Sequence, residues 1–393
     1  MAVSINDLLK TTVENKASDL HLKVGIPPVM RLDGGLAPMM DQPKLSREDV
    51  VALASSIMNN SQKEKFKTKC EVDLAYGVPG LGRFRVNAFQ QRGTISMVFR
   101  HIPIRIPTID ELKLPKVLEK LALERRGLIL VTGTTGSGKS TSLAAMIDHI
   151  NTTYTDHIIT IEDPVEFLHL DKKSIINQRE VGIDTDSFSS ALRAALRQDP
   201  DVILVGEMRD LDTIETALTA AETGHLVMST LHTTDATETI NRIITVFPPH
   251  QHQQIRIQLA AVLKGIVSMR LIPKSDGKGR VPAVEVLVAT LTVKESIIDS
   301  TKTKLIHDII AAGRSQYGMQ TFDQSLLDLY KQGLITYEEA LKNASNVDDF
   351  VLKVKGIMST SDLADEDEKG QSKSFQKPGA GGGEIKLSRL GED

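Results

Sequence analysis

The pattern of apolar and polar positions changes near residue 110 and predicts two domains. Before that point, apolar residues at helical spacing predict one helix after Ser4 and another after Ser46, each with a capping acid three residues later. Short apolar runs bounded by Gly, Pro or Asp, such as SDLHLKVG and RFRVNAF, predict strands around these helices. We therefore expect a small α+β domain over residues 1–100.

The segment HIPIRIPT contains two prolines among branched residues and predicts an extended linker, which we place at residues 101–112. Four apolar runs follow, RGLILVTG, DHIITIED, PDVILVGE and GHLVMSTLH, with helical stretches between them. This alternation predicts an α/β domain with a parallel sheet buried on both faces. Because ligands bind beyond the carboxyl ends of such strands, the polar residues that end these runs are the candidates for chemistry.

The remainder of the chain is predicted to be helical. The stretch QQIRIQLAAVLKGIVSM is amphipathic, and TFDQSLLDLYKQG and TYEEALKNAS predict two capped helices. We place the second domain, with these C-terminal helices, at residues 113–358. Residues 359–393 have few apolar side chains and many charges, Ser and Gly, which predicts a disordered tail.

Composition narrows the class of protein. The chain has a net charge of −4, from 47 basic and 51 acidic residues, which argues against a dedicated nucleic-acid binder. Cys70 is the single cysteine, so no internal disulfide is expected. The sequence contains no run of about 18 apolar residues and no secretory signal at its start. We expect a cytosolic protein, with a peripheral role at a membrane left open.

The stretch GTTGSGKST matches the phosphate-loop pattern G-x-x-x-x-G-K-[ST] between a predicted strand and a predicted helix. Backbone N–H groups and the helix start would hold the phosphates of ATP or ADP, with Lys139 reaching the β- and γ-phosphates and Ser140 binding Mg²⁺. The strand and helix disfavour the alternative, an ordinary Gly-rich turn. The predicted binding residues are Gly133, Thr134, Thr135, Gly136, Ser137, Gly138, Lys139, Ser140 and Thr141.

Two carboxylates follow predicted strands. Glu207 ends DVILVGE, where it is suited to hold the water shell of Mg²⁺, unless it is an ordinary solvated strand end. Glu162 lies in IEDPVEF, and we predict that it is the base that polarises the attacking water. Surface carboxylates are common, so a solvated turn remains an alternative for this second group.

Histidines and arginines supply further candidates. His225 and His232 flank one predicted strand, and His232 follows its end, where it could sense the γ-phosphate; lone histidines are, however, usually structural. The period of two in RFRVNAF places Arg83 and Arg85 on one face. That face is either solvated or meets a phosphate or a neighbouring subunit, as arginine fingers do.

The motifs GTTGSGKST, TIEDPVEF, QDPDVILVGEMRD and AETGHLVMSTLHTTDA occur in an order and at a spacing that resemble the secretion-type hexameric ATPases, and in particular their type IV pilus retraction branch. The resemblance includes INQREVG and GMQTFDQSLLDLY and covers roughly residues 1–350, without the tail. It implies a PAS-like N-terminal domain, a RecA-like ATPase domain and a ring of six identical subunits.

The resemblance also implies roles for individual residues. Glu162 matches the catalytic glutamate and Glu207 the Walker B glutamate, which holds Mg²⁺ partly through water. His225 and His232 match the histidine box, and we assign His225 to nucleotide binding. Arginines of the N-terminal domain match positions that approach nucleotide across the ring. The catalytic residues so implied are Glu162, Glu207, His232, Arg83, Arg85 and Arg100.

For function, the resemblance implies a hexameric ATPase motor that drives pilus retraction and twitching motility. It implies a cytoplasmic location at the bacterial inner membrane, reached through a pilus platform protein, with a paralogous pilus ATPase as a further candidate partner. The segment TVKESII stands where the retraction branch carries AIRNLI, so an accessory paralogue is the alternative. A secretion-system or nucleic-acid motor and a non-catalytic ring partner are the rival classes; the mild acidity disfavours a nucleic-acid motor, and the intact motifs disfavour a non-catalytic ring partner.

Overall fold

The chain folds as two units, each built on its own β-sheet. A computed structural model describes residues 4–32, 34–102 and 105–355. The predicted disordered tail, residues 359–393, lies outside these described residues. Both ends of the predicted linker belong to the adjoining units. The last strand of the first sheet runs to Ile102, and Ile109 is buried in the core of the second unit.

The N-terminal unit is a six-stranded antiparallel sheet with three helices, in the sheet order β3-β2-β1-β6-β5-β4. Its strands are β1 (Asp19–Lys23), β2 (Val29–Leu32), β3 (Gly35–Pro38), β4 (Glu71–Val78), β5 (Gly82–Gln91) and β6 (Thr94–Ile102). Its helices are α1 (Ile5–Glu14), α2 (Arg47–Ile57) and α3 (Asn60–Lys69). The α+β expectation for this region is confirmed.

Side-chain capping explains the starts of α2 and α3, whereas the predicted cap of α1 is wrong. Ser46 and Asp49 form the predicted capping box before α2. Asn59 and Gln62 form another before α3. Ser4 precedes α1 with an extended backbone, but its side chain makes no capping hydrogen bond. The burial of Leu8 and Leu9 in the domain core therefore holds α1, rather than its cap.

The C-terminal unit is a seven-stranded mixed sheet in the order β13-β12-β7-β11-β10-β8-β9. Its strands are β7 (Gly127–Thr132), β8 (His157–Glu162), β9 (Ile175–Glu180), β10 (Val202–Val205), β11 (Leu226–Leu231), β12 (Leu263–Pro273) and β13 (Arg280–Val288). Its helices are α4 (Val117–Ala122), α5 (Lys139–Thr153), α6 (Phe188–Ala195), α7 (Leu211–Glu222), α8 (Ala236–Val246), α9 (His252–Val262), α10 (Leu291–Ile298), α11 (Ile306–Ala312), α12 (Arg314–Tyr317), α13 (Phe322–Lys331), α14 (Tyr337–Asn343) and α15 (Val347–Val354).

Burial on both faces explains the unbroken apolar runs. Strands β12, β7, β11, β10, β8 and β9 are parallel, as the alternation of strands and helices predicts for the four apolar runs that become β7, β8, β10 and β11. In β10, Ile203 and Val205 enter the core on one face of the sheet, whereas Val202 and Leu204 enter the core on the other. Each position on the strand therefore needs an apolar side chain.

The prediction of a continuous helix over QQIRIQLAAVLKGIVSM is wrong in its second half. Helix α9 ends at Val262, and the next eleven residues form β12, which pairs with β7 in parallel and with β13 in antiparallel register. Periodicity alone does not separate a buried strand from a buried helix in a short apolar run. Pairing with β7 and β13 is what makes this segment a strand.

The C-terminal helices confirm the helical C-terminal part of the predicted fold. Thr321 and Gln324 form a capping box at the start of α13, and Thr336 caps α14. Phe322 and Phe350 are buried in a small core that these helices share with β12 and β13. Over the described stretches of the chain, none of the helices combines the length and the apolar character needed to cross a membrane.

Candidate functional site

The loop between β7 and α5 has the backbone conformation that a phosphate loop requires. Gly133, Gly136 and Gly138 have φ values of 137°, 78° and 97°, which other residues rarely adopt. A Cβ atom on Gly133 would lie 2.5 Å from the carbonyl oxygen of Met269 and 2.6 Å from the Oγ of Ser137. Glycine is therefore needed at this position both for its conformation and for the space around it.

The lysine of this loop is the first residue of α5, and the loop backbone holds its side chain. Lys139 Nζ donates hydrogen bonds to the carbonyl oxygens of Gly133 (2.7 Å) and Thr134 (3.1 Å), and lies 3.5 Å from His232 Nδ1. Burial lowers the pKa of Lys139, and the carboxylates of Glu207 and Glu166 act against that shift. The ammonium thus stands where an incoming phosphate can exchange for the loop carbonyls.

A cleft of about 640 Å³ opens beyond the carboxyl ends of β7, β8, β10 and β11, within the range typical of small-ligand sites. The loop residues that line it are Thr135, Gly136, Gly138, Lys139, Ser140 and Thr141. Ser137 Oγ is buried in the same loop and, among the residues that the structure describes, has no hydrogen-bond partner. The Ser137 hydroxyl packs beside Gly133 and does not line the cleft.

Glu207 lies just beyond the end of β10 with both carboxylate oxygens engaged. Its Oε2 is 2.6 Å from Arg209 Nη2, and its Oε1 is 3.1 Å from His232 Nε2. Burial acts to raise the pKa of Glu207, but the contacts with Arg209 and His232 outweigh burial and lower it. This carboxylate therefore stays ionised in the cleft.

Glu162 ends β8 and also lines the cleft, in a different environment. Its Oε1 accepts hydrogen bonds from Thr160 Oγ1 (2.6 Å) and Gln178 Nε2 (3.1 Å), and its Oε2 accepts from the backbone N–H of Glu166 (3.4 Å). Burial raises the pKa of Glu162, and these neutral donors compensate only in part. A half-buried carboxylate with a raised pKa is suited to accept a proton.

Gly206, which separates Glu207 from β10, lets the ends of the neighbouring strands β8 and β10 pack closely. A Cβ atom on Gly206 would lie 3.1 Å from the carbonyl oxygen of Ile161 and 3.3 Å from the Cα of Glu162. The N–H of Gly206 donates to that carbonyl at 2.7 Å. A side chain at residue 206 would force the ends of β8 and β10 apart.

The structure places the two predicted histidines at opposite ends of β11. His232 follows the strand and lines the cleft between Lys139 and Glu207. His225 precedes the strand, and its Nδ1 lies 2.9 Å from the carbonyl oxygen of Ala220. His225 therefore does not line the cleft of its own chain, and its assignment to nucleotide binding stays a prediction.

The predicted arginines lie on the N-terminal sheet and do not line the cleft of their own chain. Arg83 Nη2 is 3.5 Å from Glu180 Oε2, so this arginine connects the two units. Arg85 is exposed and pairs in register with Arg100, whose Nε donates to the buried Asp19 at 2.9 Å. The predicted alternation of β5 is confirmed, with Phe84 buried on the opposite face.

Sequence reasoning missed three residues at the cleft. Arg209 binds Glu207 and Gln178 binds Glu162, and Arg280 at the start of β13 lines the cleft wall. A signal existed for two of them, since Arg209 follows Glu207 by two residues and Gln178 lies in the motif INQREVG. Arg280 offered none, because β13 was not predicted.

The residues around the loop fit a magnesium ion bound with nucleotide. Mg²⁺ prefers oxygen ligands and usually keeps several waters, with one or two side chains and the phosphates completing its shell. The Ser140 hydroxyl and the ionised Glu207 line the same cleft. Because Arg209 and His232 already occupy both oxygens of Glu207, its contact with the ion is expected to pass through water.

Known proteins share this architecture over most of the chain. A family model described as Type II/IV secretion system protein matches residues 82–346. The type IV pilus retraction ATPase PilT of Pseudomonas aeruginosa is 47% identical over 348 residues, 88% of this chain and 100% of that protein. The type IV pilus ATPase PilU of the same organism is 45% identical over 350 residues, 88% of this chain and 90% of that protein.

A solved structure agrees with the sequence comparison. The crystal structure of the pilus retraction motor PilT with bound ADP is 49% identical, with a TM-score of 0.81 over 88% of this chain and 98% of that chain. Both the fold and the resemblance indicated by the motifs are thereby confirmed. The chain belongs to the Type II/IV secretion system protein family, among its pilus-type ATPases.

Proposed function

We propose that this chain is an ATP-hydrolysing motor that drives type IV pilus retraction. The observation that carries the proposal is the placement of Glu162, a half-buried carboxylate with a raised pKa, in the wall of the cleft that the phosphate loop opens into. The relatives named PilT and PilU supply the mechanical context, because retraction and pilus association are what those names state of them.

Hydrolysis follows from the residues around the cleft. The loop amides and Lys139 hold the β- and γ-phosphates of ATP. Glu162 accepts a proton from water as the water oxygen bonds to the γ-phosphorus and the bond to the ADP oxygen breaks. His232, between Lys139 and Glu207, lies where a change at the γ-phosphate alters its contacts.

Magnesium enters the proposal through Ser140 and Glu207. Ser140 would bind the ion directly and Glu207 through water, and the ion would neutralise charge on the phosphates. The low pKa of Glu207 supports this role, because the carboxylate is ionised throughout the physiological range. Its contact with Arg209 fixes the orientation of the carboxylate.

A ring of six copies is the proposed assembly, with the N-terminal arginines acting on a neighbour's nucleotide. Arg85 and Arg100 are exposed on one face of the first sheet, away from the cleft of their own chain. Arg83 already pairs with Glu180 and is the least available of the three. We propose an inner-membrane platform protein as the driven partner, which places the ring at the cytoplasmic side of a bacterial inner membrane.

The hydrolysis step is tested by Glu162→Gln. We expect kcat for ATP to fall at least about 1,000-fold, because the amide does not accept the proton, while ATP affinity stays within about threefold of wild type. Phosphate release and binding of a fluorescent ATP analogue measure the two quantities. Glu222→Gln, an exposed carboxylate on α7, is the matched control. Wild-type turnover in Glu162→Gln would rule out the base assignment.

An accessory paralogue is the second candidate, for a specific reason. The identities to PilT and PilU, 47% and 45%, are nearly equal, and TVKESII replaces the AIRNLI signature. Helix α10 keeps Val293 and Ile297 buried in the core, so the fold of this segment survives the altered sequence. Deletion of the gene separates the candidates: hyperpiliated, non-motile cells indicate the main retraction motor, and motile cells indicate the accessory role.

A further inference from the structure

One amide side chain ties the proposed base to the loop that follows it. Gln178 Nε2 donates to Glu162 Oε1 at 3.1 Å and to the carbonyl oxygen of Phe167 at 2.9 Å. Gln178 Oε1 accepts a hydrogen bond from the backbone N–H of His169 at 2.9 Å. Both the NH₂ group and the oxygen of this amide are therefore hydrogen-bonded, and the loop backbone sets the orientation of the amide.

A second donor reaches the same carboxylate oxygen from within β8. Thr160 is fully buried, and its Oγ1 donates to Glu162 Oε1 at 2.6 Å. Parallel register pairs Thr160 with Gln178 and Glu162 with Glu180, so these side chains share one face of the sheet. Two adjacent strands thus direct their donors at one atom.

The two oxygens of Glu162 consequently have unequal surroundings. Oε1 has two side-chain donors, whereas the contact to Oε2 within the described part of the chain is the long one, 3.4 Å, from the N–H of Glu166. Hydrogen bonds to an ionised group are shorter and stronger than those to neutral groups, so the pair on Oε1 restricts rotation of the carboxylate. Oε2 is the oxygen left for another donor.

We propose that Gln178 and Thr160 are positioning residues that hold Oε1 of Glu162 and so present Oε2 to the attacking water. The inference rests on the proposed role of Glu162 as the base. A general base must be within hydrogen-bond reach of the proton that it accepts, and a carboxylate free to rotate spends less time in that orientation.

The same donors oppose the effect of burial on the pKa of the base. Burial raises the pKa of Glu162, and the nearby charge of Glu166 raises it further, while the hydrogen bonds from Thr160 and Gln178 lower it. The other titratable or charged groups around it are Asp163 and His169 in the following loop, Glu180 on β9 with its partner Arg83, and Lys139, Glu207, Arg209 and His232 across the cleft. Loss of either donor should therefore raise the pKa of Glu162 further.

Substitution of each donor by an isosteric apolar residue tests the proposal. In the full chain, we expect Gln178→Leu and Thr160→Val each to lower kcat about tenfold at its plateau while KM changes less than about twofold. The acid limb of kcat should move upward by about one pH unit, since each variant lacks a hydrogen bond to the charged form. ATP hydrolysis with saturating Mg²⁺ between about pH 5 and pH 9 measures both effects.

Matched variants separate positioning from a merely structural role. Thr160→Ser keeps the hydroxyl and should restore the wild-type acid limb. Asn177→Leu changes an exposed neighbour on β9 whose amide lies 2.8 Å from His157 Nε2, and should leave the limb in place. If Gln178→Leu destabilises the loop, the comparison of Thr160→Val with Thr160→Ser still tests the proposal.

An unshifted acid limb in Gln178→Leu and Thr160→Val, with kcat lowered equally at every pH, would overturn the proposal and leave these residues a structural role. That outcome leaves the ATPase proposal intact. Failure of the ATPase proposal gives a different result, in which Glu162→Gln hydrolyses ATP as fast as wild type.

Discussion

The ends of β8 and β10 place two glutamates in one cleft under opposite conditions. Burial acts to raise the pKa of both Glu162 and Glu207. Around Glu162 the donors are a hydroxyl and an amide, and its pKa stays raised. Around Glu207 the partners are Arg209 and His232, and its pKa is lowered. Neutral donors moderate the effect of burial, whereas a cationic partner reverses it.

This difference separates the roles of the two residues. A carboxylate with a raised pKa takes up a proton readily, and a carboxylate with a lowered pKa remains an anion for a cation or its waters. The sequence offers two glutamates at equivalent strand ends. The hydrogen-bond donors and charges around each residue support the assignment of Glu162 as the base and of Glu207 as the group that supports the metal.

After Glu162→Gln, the largest effect on hydrolysis is expected from Glu207→Gln. Loss of the negative charge should lower kcat about 100-fold and raise the Mg²⁺ concentration needed for half-maximal activity about tenfold, because the anion supports the ion. Mg²⁺ titrations of ATP hydrolysis measure this, with Glu222→Gln as the control. An unchanged Mg²⁺ requirement would remove Glu207 from the metal site.

An intermediate effect is expected from Arg209→Met, which removes the main cationic partner of Glu207. The pKa of Glu207 should rise, so more of it is protonated in acid; the loss of hydrolysis relative to wild type should be larger at pH 6 than at pH 8. Arg209→Lys keeps a positive charge and should retain most of the activity at pH 6. A loss of equal size at all pH values would contradict the electrostatic explanation.

The smallest effect on hydrolysis is expected from Glu285→Gln, which tests burial alone. Glu285 on β13 is buried, and its Oε1 accepts from the N–H of Ala236 at 2.9 Å. Burial raises its pKa to about 7, with Asp235 adding to the shift and the Ala236 N–H, His307 and Arg270 opposing it. Activity should stay within about twofold of wild type, since Glu285 lies outside the cleft lining.

Stability, in contrast, should respond to Glu285→Gln. A carboxyl whose pKa is higher in the folded state disfavours folding once it ionises, so its contribution falls as pH rises from 4.5 to about 7. Above pH 7 the variant should be more stable than wild type, by at most roughly 3 kcal/mol, and near pH 5 the difference should be small. Denaturant unfolding at both pH values measures this, and equal differences at both would exclude Glu285 as the titrating group.

Local signals in the sequence predicted much of the site. The glycine spacing of residues 133–141 requires left-handed backbone conformations, and Gly133, Gly136 and Gly138 adopt them. The apolar runs that become β7, β8, β10 and β11 are each buried on both faces, which a run of consecutive apolar residues encodes directly. Because parallel strands end at one edge, Glu162 and Glu207 were expected near each other and do line one cleft.

Other parts depended on partners distant in the sequence. The run that becomes β12 has no period that separates a strand from a helix, and its pairing with β7 and β13 decided the matter. Gln178 is 16 residues from Glu162, and only the register of β9 with β8 brings the two together. The sequence placed His225 and His232 at the two ends of one strand, but only the folded chain shows that His232 lies between Lys139 and Glu207.

The sequence by itself determined the phosphate loop, the strand ends that carry acids and the arrangement of strands and helices around them, because spacing, glycine conformation and apolar runs are local properties. The tertiary structure alone decided which donor faces which carboxylate, and therefore which glutamate is raised and which is lowered in pKa. A pKa depends on burial and on charges within a few ångströms, and those distances exist only once the strands have paired.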